Sequence, residues 1–181
     1  MESVGDRSIS DIRLGDRVLA ADAAGRTFYS DVVFVPHGPN KDSALFSHIT
    51  TTHGRDIKMT GSHILPSGPC STASPLPLVY AKDVNAGDCV MTTSGEERVV
   101  AVGVVPGQGL YTIVTKEEYL VVNGIIASPF ATNHMMANLY YNMHRLLYSS
   151  APALLNASLL RRVNEVSPLS VLVQLVKSIL K

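Results

Sequence analysis

The chain has little charge, few aromatic side chains and no tryptophan, and these shortages exclude several classes of protein. Its 15 basic and 15 acidic residues balance to a formal net charge of zero, which leaves no overall attraction for nucleic acid. No apolar run of about 18 residues occurs, so we predict no membrane-spanning helix. The first residues lack the apolar segment of a signal peptide, so the chain carries no address of its own. Its length fits one domain, or one domain with an appendage.

Cysteine is also scarce, since Cys70 and Cys89 are the two in the chain. They are too few for a disulfide framework, and their spacing is not that of a C-x-x-C metal pair. Cys70 lies in the Pro-, Ser- and Gly-rich stretch 66–75, which predicts an irregular loop, whereas Cys89 lies in a strand-like run. We therefore expect two free or incidental thiols.

Residues 9–127 have the pattern of an all-β domain. Short runs rich in Val, Ile, Thr, Tyr and Phe recur, and Gly, Pro, Asn or Asp fills nearly every gap between them. The predicted strands are 17–21, 27–35, 45–52, 56–60, 89–92, 98–105, 110–115 and 119–122.

One segment of this domain occurs twice. Asp11–Leu19 (DIRLGDRVL) matches Asp83–Met91 (DVNAGDCVM), with both Asp residues, the Gly and the Val identical. In each case a short turn ending in Gly25 or Gly95 follows, and then a Val-rich strand. The duplication predicts two degenerate copies of one unit, related by an approximate two-fold axis and packed into one core.

The apolar period changes from that of a strand to that of a helix after residue 130. Asn133 is a predicted N-cap, and Pro152 and Ser167-Pro168 mark the starts of two more amphipathic helices. The predicted organisation is therefore a mostly β domain over 1–130 with a helical appendage over 131–181.

A candidate site follows the predicted strand 56–60, in the run MTGSHIL. Thr60 and His63 are three residues apart, so a turn can bring hydroxyl and imidazole to one carbonyl–nitrogen centre. The imidazole would give a proton to a leaving amide nitrogen, and the hydroxyl would hold or polarise the same peptide. Taken alone, such a pair is most often two ordinary surface residues.

Four motifs occur in one order within the duplicated domain: GDRVLA at 15–20, YSDV at 29–32, T-x-x-H at 60–63 and VVNGIIAS at 121–128. Together they resemble the Hint (Hedgehog/intein) domain of Hedgehog C-terminal segments, over residues 9 to about 130. The resemblance implies a Hint-type antiparallel β fold with two-fold internal pseudosymmetry. Residues 131–181 are in the position of the tail that is a sterol-recognition region in animal Hedgehogs.

The resemblance implies protein autoprocessing by an intramolecular N-to-S acyl shift followed by transesterification. In the family, the cysteine that begins the Hint domain attacks its own preceding peptide bond, and a second nucleophile then opens the thioester. Thr60 and His63 fall on the acyl-shift pair of the family. His37 falls on an Asp of animal Hedgehogs and would be a base for an incoming hydroxyl, or is an ordinary loop histidine. We expect the three side chains to line one pocket.

Two further departures from the family affect the expected activity. Pro129 stands where animal Hedgehogs have a cysteine, in a segment that we interpret as a buried turn leading out of the last strand. The nucleophilic cysteine of the family lies further upstream than this chain reaches, and neither Cys70, Cys89 nor Ser3 is a credible substitute. We therefore expect an inactive fragment, either truncated at its N-terminus or repurposed, and favour truncation.

The competing hypothesis is a non-catalytic lipid- or protein-binding module derived from a Hint domain, with residues 131–181 laying an apolar face on a membrane or a partner. No cofactor or metal is expected, since His48, His53 and His63 without Cys or paired acids are weak evidence for zinc. The implied partners are the domain's own N-terminal precursor segment and a sterol or other lipid nucleophile, and not nucleic acid. A Hedgehog-like precursor would place the chain in the secretory pathway or at a membrane.

Overall fold

The computed structural model describes residues 6–36, 42–70, 75–131, 141–142, 145–146 and 148–150. Over these residues the chain is mostly β. Two 3-10 turns, η1 and η2, each precede a strand of the duplicated segment. The elements are η1 (Ile9–Asp11), β1 (Arg17–Ala21), β2 (Thr27–Phe34), β3 (Ser43–Thr51), β4 (Asp56–Thr60), β5 (Ile64–Gly68), β6 (Leu78–Tyr80), η2 (Ala81–Asp83), β7 (Cys89–Thr92), β8 (Gly95–Gln108), β9 (Val114–Thr115), β10 (Tyr119–Val122) and β11 (Ile125–Ala127).

All strand pairs are antiparallel, which confirms the predicted fold class. The strands are hydrogen-bonded in the order β4-β3-β8-β7-β11-β10-β1-β2-β9, and β5 joins the path through β7 while also pairing with β6. The predicted strands β1, β4, β7 and β10 have the bounds that the sequence indicates. The prediction 110–115 is too long, since β9 holds two residues, and β5, β6 and β11 lie outside the predicted runs.

The two matched segments are equivalent in the structure. In each, a 3-10 turn leads through a left-handed glycine, with φ of 87° or 97°, into the first strand of a hairpin. The carboxylate Oδ2 of Asp16 accepts from the N–H three residues before it at 2.9 Å, and that of Asp88 does so at 2.8 Å. The carbonyl groups of the same two residues accept from Val32 and Val99, each at 2.8 Å. This correspondence confirms the internal duplication.

The two halves exchange strands. Strand β2 of the first half pairs with β9 of the second, and β8 of the second pairs with β3 of the first over nine residues of β3. Buried side chains of both halves accordingly share one core, in which Ile49 and Leu65 belong to the same cluster as Val90 and Ile125. Because apolar burial is the main favourable term in folding, the halves stabilise each other.

The expectation of free thiols is wrong, because Cys70 and Cys89 form a disulfide with a Cα–Cα distance of 4.9 Å. The physical reason is the pairing of β5 with β7, which sets Gly68 opposite Cys89. The loop that continues from β5 therefore carries Cys70 back to the start of β7. The spacing in the sequence does not reveal this register.

By its internal contacts the chain divides into two compact units, Met1–His134 and Met135–Lys181. In the second unit, positions 141–142, 145–146 and 148–150 are helical. The predicted helix starts at Asn133, Pro152 and Ser167 lie outside the described residues. No helix in the part of the chain described here is long and apolar enough to cross a membrane.

Candidate functional site

The turn between β4 and β5 brings the hydroxyl and the imidazole of the T-x-x-H motif into contact. Thr60 is the last residue of β4, and its carbonyl accepts from the backbone N–H of His63 at 2.9 Å, which closes the turn. The Thr60 Oγ1 atom lies 2.7 Å from His63 Nδ1, and the pair is partly buried. The structure therefore brings the two side chains of the T-x-x-H motif into contact, and their catalytic role stays a prediction.

Because Thr60 Oγ1 contacts Nδ1, the two ring nitrogens of His63 have different roles. If the Thr60 hydroxyl donates to Nδ1, the proton of a neutral His63 is on Nε2, where it can donate a hydrogen bond to another atom. If Nδ1–H donates to the hydroxyl instead, Nε2 is an acceptor. The Ser62 hydroxyl lies 3.3 Å from Thr60 Oγ1 and adds a second polar group to the turn. The imidazole of His63 can therefore act as a general acid or a general base.

Backbone groups of η2 hold this turn from one side. The N–H of Ala81 donates to the carbonyl of His63 at 2.8 Å, and that of Lys82 donates to the carbonyl of Gly61 at 3.1 Å. Gly61 permits this approach, since a Cβ atom there would lie 3.1 Å from Lys82 Cβ. Packing against Lys82 therefore favours glycine at position 61.

The segment after β11 holds the turn from the other side. Ser128 donates its N–H to the carbonyl of Ile64 at 2.9 Å, and Ile64 donates to the carbonyl of Phe130 at 3.2 Å. Ser128, Pro129 and Phe130 are buried, as expected for a turn leading out of the last strand. The site on the first half is thus clamped between two backbone segments of the second.

The remaining predicted site residues are not part of this contact. His37 lies outside the described residues. His48 contacts Asp56 at 2.9 Å, and His53 contacts Glu97 at 3.0 Å. Within the described ranges, no group of three or more His, Cys, Asp or Glu side chains is arranged to hold a metal ion.

A buried carboxylate that the sequence analysis missed joins two hairpin turns, β3–β4 and β7–β8. The Glu97 side chain is 4% exposed and accepts from the backbone N–H of His53 at 2.7 Å and from Arg55 at 2.6 Å. Arg55 also donates to Ser94 at 3.1 Å. Burial raises the pKa of Glu97, but donors on Thr51, His53 and Arg55 outweigh it and hold the pKa at about 2. No pattern in the sequence marks this residue, because it sits in an ordinary strand run.

A groove of about 750 Å³ lies elsewhere on the domain, between η1, β1, β10 and the hairpin turns near 54 and 124. Apolar side chains, among them Ile12 and Leu120, line its interior. Three arginines at the groove contact carboxylates: Arg7 with Asp16 at 3.1 Å, Arg17 with Asp31 at 3.7 Å, and Arg55 with Glu97. Neither Thr60 nor His63 lines this groove.

Comparison with known proteins identifies the family of the chain. The family model described as Hint module matches residues 1–181. Warthog protein 6 of Caenorhabditis elegans is 34% identical over 129 residues, which cover 68% of this chain and 22% of that protein. Indian hedgehog B protein of Danio rerio is 31% identical over 165 residues, covering 82% of this chain and 40% of that protein. The chain thus spans well under half the length of these relatives.

Solved structures show the same fold at low sequence identity. The gp41-1 intein is 18% identical with a TM-score of 0.53, covering 67% of this chain and 87% of that chain. A DnaB intein from Synechocystis sp. PCC 6803 is 16% identical with a TM-score of 0.55, covering 70% of this chain and 89% of that chain. The chain therefore belongs to the Hint family, as a domain related to the autoprocessing domains of Hedgehog proteins and to inteins.

Proposed function

We propose that this domain cleaves the peptide bond that precedes it in a Hedgehog-like precursor, by an N-to-S acyl shift. The observation that carries the proposal is the 2.7 Å contact between Thr60 Oγ1 and His63 Nδ1 in a turn clamped on both sides. A proton donor fixed in orientation is what the departure of an amide nitrogen requires, because an amide anion is too basic to leave.

In the first step, the sulfur of a cysteine attacks the carbonyl carbon of the peptide bond immediately before it. The C–S bond forms as the C–N bond breaks. With Nδ1–H donating to Thr60, His63 Nε2 takes up the thiol proton, and the resulting imidazolium gives a proton to the departing amide nitrogen, so that His63 is neutral again at the end of the step. The products are a thioester to the upstream segment and a free amine on the cysteine. The nucleophile comes from upstream sequence in this proposal, since Cys70 and Cys89 are joined in a disulfide.

In the second step, the hydroxyl of an alcohol attacks the thioester carbon and the cysteine thiol leaves. The upstream precursor segment departs as an ester, or as an acid where water replaces the alcohol. His37 is proposed as the base that takes the hydroxyl proton. We propose a sterol or another lipid alcohol as the nucleophile, and the amphipathic helices that the sequence predicts over 131–181 as its contact surface.

The test fuses a reporter domain and the natural upstream sequence, including its cysteine, before Met1. Dithiothreitol or hydroxylamine should release the reporter, with the cleavage point read by mass spectrometry. His63→Ala should slow release about 100- to 10,000-fold, because the leaving nitrogen loses its proton donor. The matched control is His53→Ala, whose side chain is 76% exposed and outside the site, and it should cleave at the parent rate.

Two more variants separate the roles of the other residues. Thr60→Ala should slow release less than His63→Ala, since it removes orientation and leaves the proton donor in place. His37→Ala should spare release by added thiol and slow transfer to an alcohol. A folded fusion that stays uncleaved in strong thiol would sink this proposal, and the domain would then be a binding module that kept the Hint fold.

We also propose an oxidising compartment for the folded domain. The support is the Cys70–Cys89 disulfide, since such bonds persist in secreted proteins and are rare in the cytosol. Alkylation of the protein as it is isolated from its source, followed by mass spectrometry, should leave both sulfurs unmodified. Alkylation of both cysteines would count against the secretory pathway.

A further inference from the structure

The longest strand of the domain is only partly paired on one of its edges. Strand β3 covers one edge of β8 from Val99 to Gln108, whereas β7 covers the other edge only from Gly95 to Arg98. Beyond that point the edge carries no partner strand in the part of the chain that the structure describes. The backbone N–H and C=O groups of Val99 are still used, by Asp88 and Gly87 at 2.8 and 2.9 Å. The open edge therefore starts at Val100.

Alternation along the strand identifies the groups that face this open edge. Gly109 donates its N–H to the carbonyl of Asp42 at 2.8 Å, so the backbone N–H and C=O groups of the odd-numbered residues at this end of β8 point toward β3. The backbone groups of the even-numbered residues, among them Val102, Val104 and Pro106, then point away from β3 and toward the open edge. Pro106 fits this assignment, because proline has no N–H and is tolerated at an unpaired edge. Val102 and Val104 thus each offer both a donor and an acceptor, as Gln108 does at the end of the strand.

The same edge is apolar and uncharged. Val100, Val102 and Val104 are 51%, 36% and 68% exposed. The sequence holds no Asp, Glu, Lys or Arg from residue 99 to residue 115. Natural proteins usually protect open edges with charged side chains, since such an edge is a template for another strand. An extended strand is therefore the ligand that matches this surface.

We propose that β8 pairs with β8 of a second copy of this chain, antiparallel, about a two-fold axis at Gly103. The sequence around this residue is self-complementary for such a pairing: Val102 meets Val104 of the second copy, and Ala101 meets Val105. The two outward-facing valines of each copy then exchange both of their backbone hydrogen bonds with those of the other. Interfaces of this kind, the same patch on both partners, are those of two-fold dimers.

Gly103 is suited to the axis because its surroundings are open. A Cβ atom added there would meet nothing within 4 Å in one copy. In the dimer Gly103 lies opposite itself at a non-hydrogen-bonded position, where Cα atoms approach to about 4.5 Å. The proposed interface contains few residues, so it belongs to the weaker class of protein interfaces. The fraction of dimer should therefore depend on protein concentration.

The test is sedimentation of the full chain over the micromolar to millimolar range. The natural chain should shift from monomer to dimer, and Gly103→Lys and Gly103→Asp should each stay monomeric, because like charges meet at the axis. An equimolar mixture of the two variants should form a one-to-one dimer. Ala23→Lys, at the exposed tip of the β1–β2 hairpin, should dimerise like the natural chain. Far-ultraviolet circular dichroism verifies that each variant is folded.

A second measurement uses cysteine in place of charge. Gly103→Cys should form a disulfide-linked dimer in mild oxidant, because equivalent residues face each other at a distance that a disulfide can span. Ala101→Cys, which would face Val105 instead, should cross-link much more slowly. The proposal fails if the natural chain is monomeric throughout, or if it dimerises and both charged variants dimerise equally. Binding to phosphatidylcholine vesicles without dimer formation would also overturn it, since the apolar edge would then contact lipid.

Discussion

The turn between two successive strands is built differently in the two halves of the domain. In the second half, β10 and β11 pair with each other through the tight turn Asn123–Gly124, whose φ angles are 49° and 78°. In the first half β4 and β5 are also successive strands, but they do not pair with each other: β5 pairs with β6 and β7, and three residues separate β4 from β5. The T-x-x-H turn therefore joins two strands that are not hydrogen-bonded to each other. A tight hairpin has no room for a polar site, and an open turn does.

Strand β2, the hairpin partner of β1, and strand β8, the hairpin partner of β7, differ at one buried position. Ser30 lies opposite Val18, and Glu97 lies opposite Val90, so these two buried residues hold equivalent positions. Glu97 is bound by several donors, whereas the Ser30 hydroxyl has no hydrogen-bond partner among the described residues. One ancestral position thus carries an ionic link in one half and an apolar setting in the other. Paired substitutions can test which of these differences matter for stability.

The disulfide should give the largest difference between the halves. Replacing Cys70 and Cys89 together by Ser should lower the free energy of unfolding by about 3 kcal/mol, because the bridge closes a loop with a sequence separation of 19. Arg17 occupies the position that matches Cys89, and its contacts with Asp31 and with the carbonyl of Tyr29 are exposed. Arg17→Ser should therefore cost less than about 1 kcal/mol. Urea unfolding measures both, and equal losses would contradict the asymmetry.

Removal of the buried charge is expected to rank second. Glu97→Gln should lower the free energy of unfolding by about 2 to 3 kcal/mol, since it weakens charge-assisted bonds and leaves Arg55 without its carboxylate. The pKa of Glu97 is lowered from 4.5 to about 2, so its contribution is complete above about pH 4.5 and declines as the pH falls toward 2. The gap between natural chain and variant should narrow over that interval. A gap independent of pH would show that the carboxylate charge is not responsible.

The aspartates of the duplicated turns should give matched losses. Asp16→Ala and Asp88→Ala each remove one carboxylate that accepts from a backbone N–H at 2.9 or 2.8 Å. Each substitution should cost about 1 kcal/mol, and the two values should agree within about 0.5 kcal/mol. Thermal unfolding of the two variants side by side provides the comparison. A large difference between the two losses would mean that the two turns have the same geometry but contribute different free energies to stability.

The smallest effect is expected at Ser30. Ser30→Ala should leave the free energy of unfolding unchanged or raise it by up to about 1 kcal/mol, because it removes a buried hydroxyl that lacks a partner. Calorimetry at neutral pH can resolve the direction of the change. A clear destabilisation would indicate an ordered water bound to the hydroxyl.

Prediction from sequence succeeded where structure is local. The repeated Gly-Asp turn is visible because its positive φ angles require glycine and its carboxylates cap nearby backbone, so both copies keep the same residues. The T-x-x-H contact is equally local, as it spans three residues. The short strand β5 is missed because Ile64–Gly68 contains Pro, Ser and Gly and is buried without alternation.

Features that depend on strand register were not predictable. The disulfide depends on the pairing of β5 with β7, and Glu97 in β8 bonds to residues of the β3–β4 turn that are 44 and 42 positions away in the chain. Neither pairing leaves a mark in the sequence around the residues concerned. The predicted role of His37 stays a prediction, since its loop is outside the described residues.

The exchange of strands between the halves has a consequence for the order of events during synthesis. Strand β3, which leads into β4 and the T-x-x-H turn, acquires its long partner only when β8 has been made, and β2 waits for β9. Contacts between such distant parts of a chain form late and slowly. The proposed chemistry therefore cannot start while the ribosome is still translating the second half. An upstream domain would have that interval in which to fold before it is released.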